Sequence, residues 1–173
     1  KKRTSYFTSK TMMLSGIETL LYQDIRPGVK FKGLIDLVFY HPNTETWTIM
    51  DIKTSTRGWN QKAKSNTNLT AQVVLYREFF AKQFDIDIDK IKLEYFVVKR
   101  RIPKDAEFAA ALSRVQTFNP FGNSSGKNKT KQVLKSMDDF INETIDEEGK
   151  YFDKNYNCKN AFGKCEHCRS FLD

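Results

Sequence analysis

Cysteine is scarce in this chain: three among 173 residues, at Cys158, Cys165 and Cys168, and none before them. So few, crowded at one end, exclude the disulfide framework of a small secreted domain. No apolar run reaches the ~20 residues of a membrane-spanning helix, so no membrane partner is expected. The opening residues, KKRTSYFTSK, lack the apolar stretch of a secretory signal. They also lack an initiator Met, which marks the chain as a candidate excised piece. Acidic charge is in deficit, 21 Asp and Glu against 29 Lys and Arg, for a net +8. That excess favours a polyanionic partner, nucleic acid above all. What is present is ordinary globular material: 39% hydrophobic and 13% aromatic residues exclude disorder. The length suits one domain with a sizeable core. The expected organisation is a single domain over 1–173 with a Cys-containing tail at 151–173, in a cytoplasmic compartment.

Along the chain, Thr11 to Ile25 reads as extended and is broken at Arg26-Pro27-Gly28. Val29–Tyr40 and Thr46–Lys53 read as a hairpin joined by the turn-forming HPNTET. Thr54 to Asn66 is polar and aperiodic and reads as a loop. A helix capped near Asn66 to Asn68 follows, with Leu69, Val73, Tyr76 and Phe80 at helical spacing and Gln72 on the side of Tyr76. Ile91 to Val98 is β-rich. The segment 103–126 carries loop chemistry in FNPFGNSSG. Lys127 to Glu148 predicts a second helix that Gly149 ends, its stripe being Val133, Leu134, Met137, Phe140, Ile141 and Ile145. The order β-β-β-α-β-α predicts an α/β core with helices packed on a sheet.

The chemistry concentrates in FKGLIDLVFYHPNTETWTIMDIKTS. Side chains alternate along a strand, so Asp51 and Lys53 share a face, and a hairpin can bring Asp36 to it. Two carboxylates and an ammonium at strand ends suit a hard divalent cation and a phosphate oxygen. The bland reading is two surface carboxylates. Asp inside GLIDLV weighs against it, because burying an unpaired carboxylate is costly.

The combination resembles the PD-(D/E)XK nuclease superfamily in its RecB-type branch, and phage-encoded members in particular. Glu18 in GIETLLYQDI, Asp36 in FKGLIDLV, Asp51 and Lys53 in DIKTS, and Gln72 with Tyr76 in QVVLY carry the resemblance, over about a third of the chain. It implies a restriction-endonuclease-like α/β core: a central mixed β-sheet flanked by helices. It implies Mg²⁺ or Mn²⁺ held by Asp36, Asp51, the Ile52 carbonyl and Glu18, with Lys53 orienting or activating water. Gln72 would contact the scissile region or position Lys53, and Tyr76 would stack on a base or fill core. Many RecB-type members carry a His before the upstream acid; none precedes Glu18 here.

Cys158, Cys165 and Cys168 form C-x6-C-x2-C, read either as buried thiols or as a metal staple. Some RecB-type members hold an iron–sulfur cluster on one upstream and three C-terminal Cys. Here the close pair follows the lone Cys, and no upstream Cys supplies a fourth thiolate. Zn²⁺ on the three Cys plus His167 stays open. Arg57, Lys62 and Lys64, with Trp59 among them, suit a single strand's phosphates and bases. Lys99, Arg100, Arg101, Lys127, Lys129 and Lys131 are further candidates, each with a solvated face as the plainer reading.

Three functions follow. The first is a metal-dependent deoxyribonuclease, an exonuclease in recombination, repair or phage DNA processing, in the host cytoplasm if phage-encoded. The second is a catalytically silent DNA-binding module. The third is an interaction subunit alongside replication or recombination proteins. An intact Asp36, Asp51 and Lys53 favours the first.

Overall fold

The computed structural model describes residues 11–102, 112–122 and 124–151. The strands are β1 (Met13–Arg26), β2 (Val29–His41), β3 (Thr46–Ser55), β4 (Ile91–Lys99) and β5 (Val115–Phe118). The helices are α1 (Gln61–Ser65), α2 (Thr67–Phe84) and α3 (Lys127–Thr144), with one 3₁₀ turn at Ile88–Lys90 before β4. The sheet runs in chain order, β1-β2-β3-β4-β5. β3 and β4 are parallel, and the other neighbours are antiparallel. A parallel pair needs a long crossover, which α1 and α2 supply. The mixed sheet with flanking helices is the expected class.

The β1–β2 turn has Pro27 and then Gly28 at φ 73°, the residues a type II turn favours. Gly28 also lies against Gly149: a Cβ added to it would stand 2.8 Å from the Gly149 Cα. α2 begins where Asn66 accepts hydrogen bonds from the backbone N–H of Asn68 (2.9 Å) and Leu69 (3.3 Å), the N-cap chemistry expected there. It crosses one sheet face and buries Val73, Val74, Tyr76, Phe79 and Phe80 against Leu21, Ile35, Ile49 and Tyr95. Phe31 and Phe79 stack at 3.8 Å and 6°, a pairing worth ~0.5–1.5 kcal/mol beyond its buried area. Phe39, Met50 and Phe96 make a smaller cluster. Arg26 closes the end of α3, donating to the carbonyls of Ile141 (3.2 Å) and Ile145 (2.8 Å).

Five expectations need correction. The loop expected over Thr54–Asn66 contains α1, which Asn60 caps through Ala63 N–H (2.9 Å); α1 buries no residue, so it leaves no apolar period. The segment 103–126 contains β5, only four residues long. α3 stops at Thr144, short of Gly149. Of its expected stripe Val133 and Ile141 are buried, whereas Phe140, one position and 100° away from Ile141, is 63% exposed. Likewise Leu69 is exposed on α2. Among the described residues, no helix is long and apolar enough to cross a membrane.

Candidate active site

The sheet forks at the chemistry. β2 pairs with β3 from His41↔Thr46 only as far as Leu37↔Met50. Beyond that point β2 stays with β1, while β3 runs on beside β4 from Asp51↔Tyr95 to Ser55↔Lys99. Asp36 and Asp51 are the first residues past the last β2–β3 pair. In the opening, Asp36 Oδ2 accepts the Ile52 N–H at 2.7 Å, so its carboxylate bridges the strands where the ladder stops.

Asp51 is 2% exposed. Lys53 Nζ lies 2.9 Å from its Oδ2, as the strand alternation predicts. That approach lacks hydrogen-bond geometry, and Oδ2 is otherwise a buried oxygen without a partner. Burial raises the Asp51 pKa; Lys53 opposes the shift and Asp36 adds to it. Lys53 Nζ donates to Gln72 Oε1 at 2.8 Å. Gln72 in turn donates from Nε2 to Tyr76 Oη at 2.7 Å. Positions i and i+4 of α2 meet on one face, giving the continuous line Asp51–Lys53–Gln72–Tyr76.

Two residues that sequence reasoning did not single out, Gly33 and Tyr95, lie beside this line. Tyr76 lies on β2 over Gly33, where an added Cβ would stand 2.7 Å from Tyr76 Cε1. Only glycine lets the ring so close. Tyr95, opposite Asp51 on β4, is fully buried and donates from Oη to the Leu69 carbonyl at 3.2 Å. Burial raises its phenol pKa, with Asp51 adding to the shift. A glycine in KGL and a tyrosine in a buried strand leave no local signal of either task.

The remaining candidates are less closely gathered. Glu18 sits between the pairs Ile17↔Leu37 and Thr19↔Ile35, hence across from Asp36. It is exposed and adopts φ 48°, a left-handed conformation rare for a non-glycine residue. Among the described residues, no three His, Cys, Asp or Glu side chains stand close enough together to hold a metal ion. Trp59 is anchored on both sides: its N–H donates to Gln116 Oε1 (2.8 Å), and its carbonyl accepts from Gln116 Nε2 (3.0 Å). Its ring packs on Tyr95 and Phe118. Packing leaves Trp59 half-buried. Arg57 and Lys62 are exposed, and Lys64 stands over the Phe118 ring at 5.3 Å. Lys99, a candidate nucleic-acid backbone contact whose plainer reading was a solvated face, is buried. Cys158, Cys165, Cys168 and His167 lie outside the described residues.

Comparison with known proteins bears on the whole chain. Among curated proteins no relative matches. A model of the PD-(D/E)XK nuclease superfamily matches residues 3–170. The match spans the forked sheet, its carboxylates and Lys53, and the five-stranded mixed sheet agrees with the restriction-endonuclease-like core of that family. With nearly its full length covered, the chain belongs to the PD-(D/E)XK nuclease superfamily.

Proposed function

We propose that this chain is a divalent-metal-dependent deoxyribonuclease that hydrolyses phosphodiester bonds, working as an exonuclease of the RecB type in phage or repair and recombination DNA processing. The observation that carries the reading is the meeting of Asp36, Asp51 and Lys53 at the fork, with Lys53 held by both Asp51 and Gln72. A silent relative has no need of all three groups.

The donor set fits a hard cation. It is made of oxygens, and buried Asp51 Oδ2 has the Lys53 ammonium at 2.9 Å but no partner in hydrogen-bond geometry, which leaves its lone pairs open to a hard cation. Asp36, Asp51, the Ile52 carbonyl and Glu18 would hold Mg²⁺ or Mn²⁺, which members of this superfamily generally use. When bound, such an ion supplies Lewis-acid charge stabilisation and eases ionisation of water. The chain's own part is positional. Lys53 presents a fixed ammonium to the charge that develops on phosphate, and Gln72 fixes its direction. Tyr76 holds Gln72, and Gly33 seats Tyr76 against the sheet. Arg57 and Lys62 extend positive charge past the end of β3 toward the DNA backbone.

The test is cleavage of end-labelled single- and double-stranded DNA with Mg²⁺, with Mn²⁺ and with EDTA. Ladders trimmed from one end in the metal lanes support an exonuclease. No product in any lane removes the enzymatic reading.

A further inference from the structure

We propose, resting on the nuclease reading, that the cleft between α1, the β5–α3 connection and the first turn of α3 binds the phosphate backbone of a nucleic-acid strand beyond the bond that is cut. The cleft measures about 810 Å³. Lys64 enters it from α1, and Lys127 and Lys129 enter from α3. None of the described residues lining it is acidic. Among the described residues, none of the three lysines has an ion-pair partner, whereas Lys135, farther along α3, has Asp139 at 2.7 Å.

Two of the three ammonium groups are held in place. Lys64 stands 5.3 Å above the ring of Phe118, which is itself stacked on Tyr95. Lys129 donates to the Pro120 carbonyl at 3.1 Å and is half-buried.

The charge placement runs against helix stability. The amino end of a helix is the positive end of its dipole, where carboxylates are favoured and lysines are not. The first turn of α3 has no acidic residue, and Gly126 provides no side-chain cap. Lysines crowded onto an uncapped helix start raise the local potential twice over. An anion in the cleft relieves both contributions.

The position and lining of the cleft indicate which anion. Thr67 lines the cleft, and Gln72, the partner of Lys53, lies on the same helix. Five residues of α-helix rise ~7.5 Å, on the order of two stacked nucleotides at ~3.4 Å each. A strand whose scissile phosphate lies at the fork therefore reaches the cleft within a few nucleotides. The aromatic residues here are already packed, Phe118 on Tyr95 and Phe121 beneath Arg77. The donors left facing the cleft suit phosphates, so recognition is independent of sequence.

The experiment measures binding of 5′-fluorescent oligonucleotides of increasing length to the whole chain by anisotropy in EDTA, where nothing is cut. Affinity of the wild-type chain should rise with length and then level off. In Lys64→Gln/Lys127→Gln the gain with length should fall by about tenfold at low salt. With about 0.7 log units of slope per single-strand phosphate contact, the slope of log K against log salt should drop by about 1.4. A second variant guards against misfolding. Lys127→Glu improves the charge at the start of α3, so it should melt no lower than wild type yet bind long oligonucleotides more weakly.

Unchanged length dependence and salt slope in both variants would overturn the proposal, as would a wild-type chain that binds no oligonucleotide. The nuclease reading fails separately. If the variants lose binding but the wild-type chain cuts nothing with Mg²⁺, the cleft stands and the enzyme does not. If the wild-type chain cuts and the variants bind as it does, the reverse holds.

Discussion

Adding one methyl group at Gly33 should disable this protein from the far side of its active site. The Cβ of Gly33→Ala would stand 2.7 Å from Tyr76 Cε1, 3.2 Å from Tyr76 Cδ1 and 3.1 Å from Phe31 Cε1. Ordinary carbon contacts lie at about 3.5–4.0 Å, so the Tyr76 ring must retreat by roughly 1 Å. It is 6% exposed and sits within the main core, so it cannot move alone. Overpacking of this kind costs about 1–3 kcal/mol. The displacement also carries Tyr76 Oη, now 2.7 Å from Gln72 Nε2, beyond hydrogen-bond reach. Gln72 is then free to turn, and Lys53 loses the acceptor it holds at 2.8 Å. The expected result is a lower urea midpoint together with a cleavage rate down by about tenfold or more, since misplacement of ~1 Å can cost 10²-fold. Tyr76→Phe separates the two effects, because it keeps the ring and removes the hydroxyl; it should lose rate with a stability change of about 1 kcal/mol. Wild-type stability and rate in Gly33→Ala would refute the chain of contacts from β2 to Lys53.

Three further outcomes follow. In EDTA, Asp51→Asn should raise the melting temperature. Burial raises the folded-state pKa of Asp51 above its unfolded value, so the wild-type chain loses stability as pH rises through that window. The advantage of the Asn variant should therefore be small below about pH 4, the unfolded carboxyl range, and greatest at neutral pH. An advantage that shrinks as pH rises would contradict this. Replacing Arg57, Lys62 and Lys64 together with Gln should lower the salt slope of DNA binding by roughly 2 to 3 units; an unaltered slope would remove this segment from the backbone contacts. Because no fourth Cys accompanies Cys158, Cys165 and Cys168, the purified chain should be colourless, and a brown protein with about four irons per chain would show a cluster.

Local pattern made some of this molecule legible and left the rest hidden. Alternation within a strand needs no tertiary knowledge, and it puts Asp51 and Lys53 on one face, where they meet at 2.9 Å. Helical spacing in the same way joins Gln72 to Tyr76. The Asn66 cap was readable because a side-chain oxygen serving two nearby backbone N–H groups is a local event. The fork was not readable. Nothing in GLIDLV tells that β2 leaves β3 after Leu37, since parting depends on where β4 and β1 compete for pairing. α1 and β5 escaped for the opposite reason: they are too short to show a period. The packing of Trp59 was hidden because its neighbours in sequence are basic and polar, while its neighbours in space are Tyr95, Phe118 and Gln116.

The proposed function makes the fork a metal-dependent phosphodiesterase site in which Lys53 acts on the reacting phosphate. The most direct measurement compares wild type and Lys53→Ala on end-labelled DNA with Mg²⁺, with EDTA, and with anisotropy binding run in parallel. Wild type should cleave with Mg²⁺ and not with EDTA. Lys53→Ala should cleave more slowly by about 10²-fold or more, with DNA binding retained and the melting temperature lowered, because buried Asp51 loses its ion-pair partner. Full activity of Lys53→Ala, or wild-type cleavage undiminished in EDTA, would contradict it.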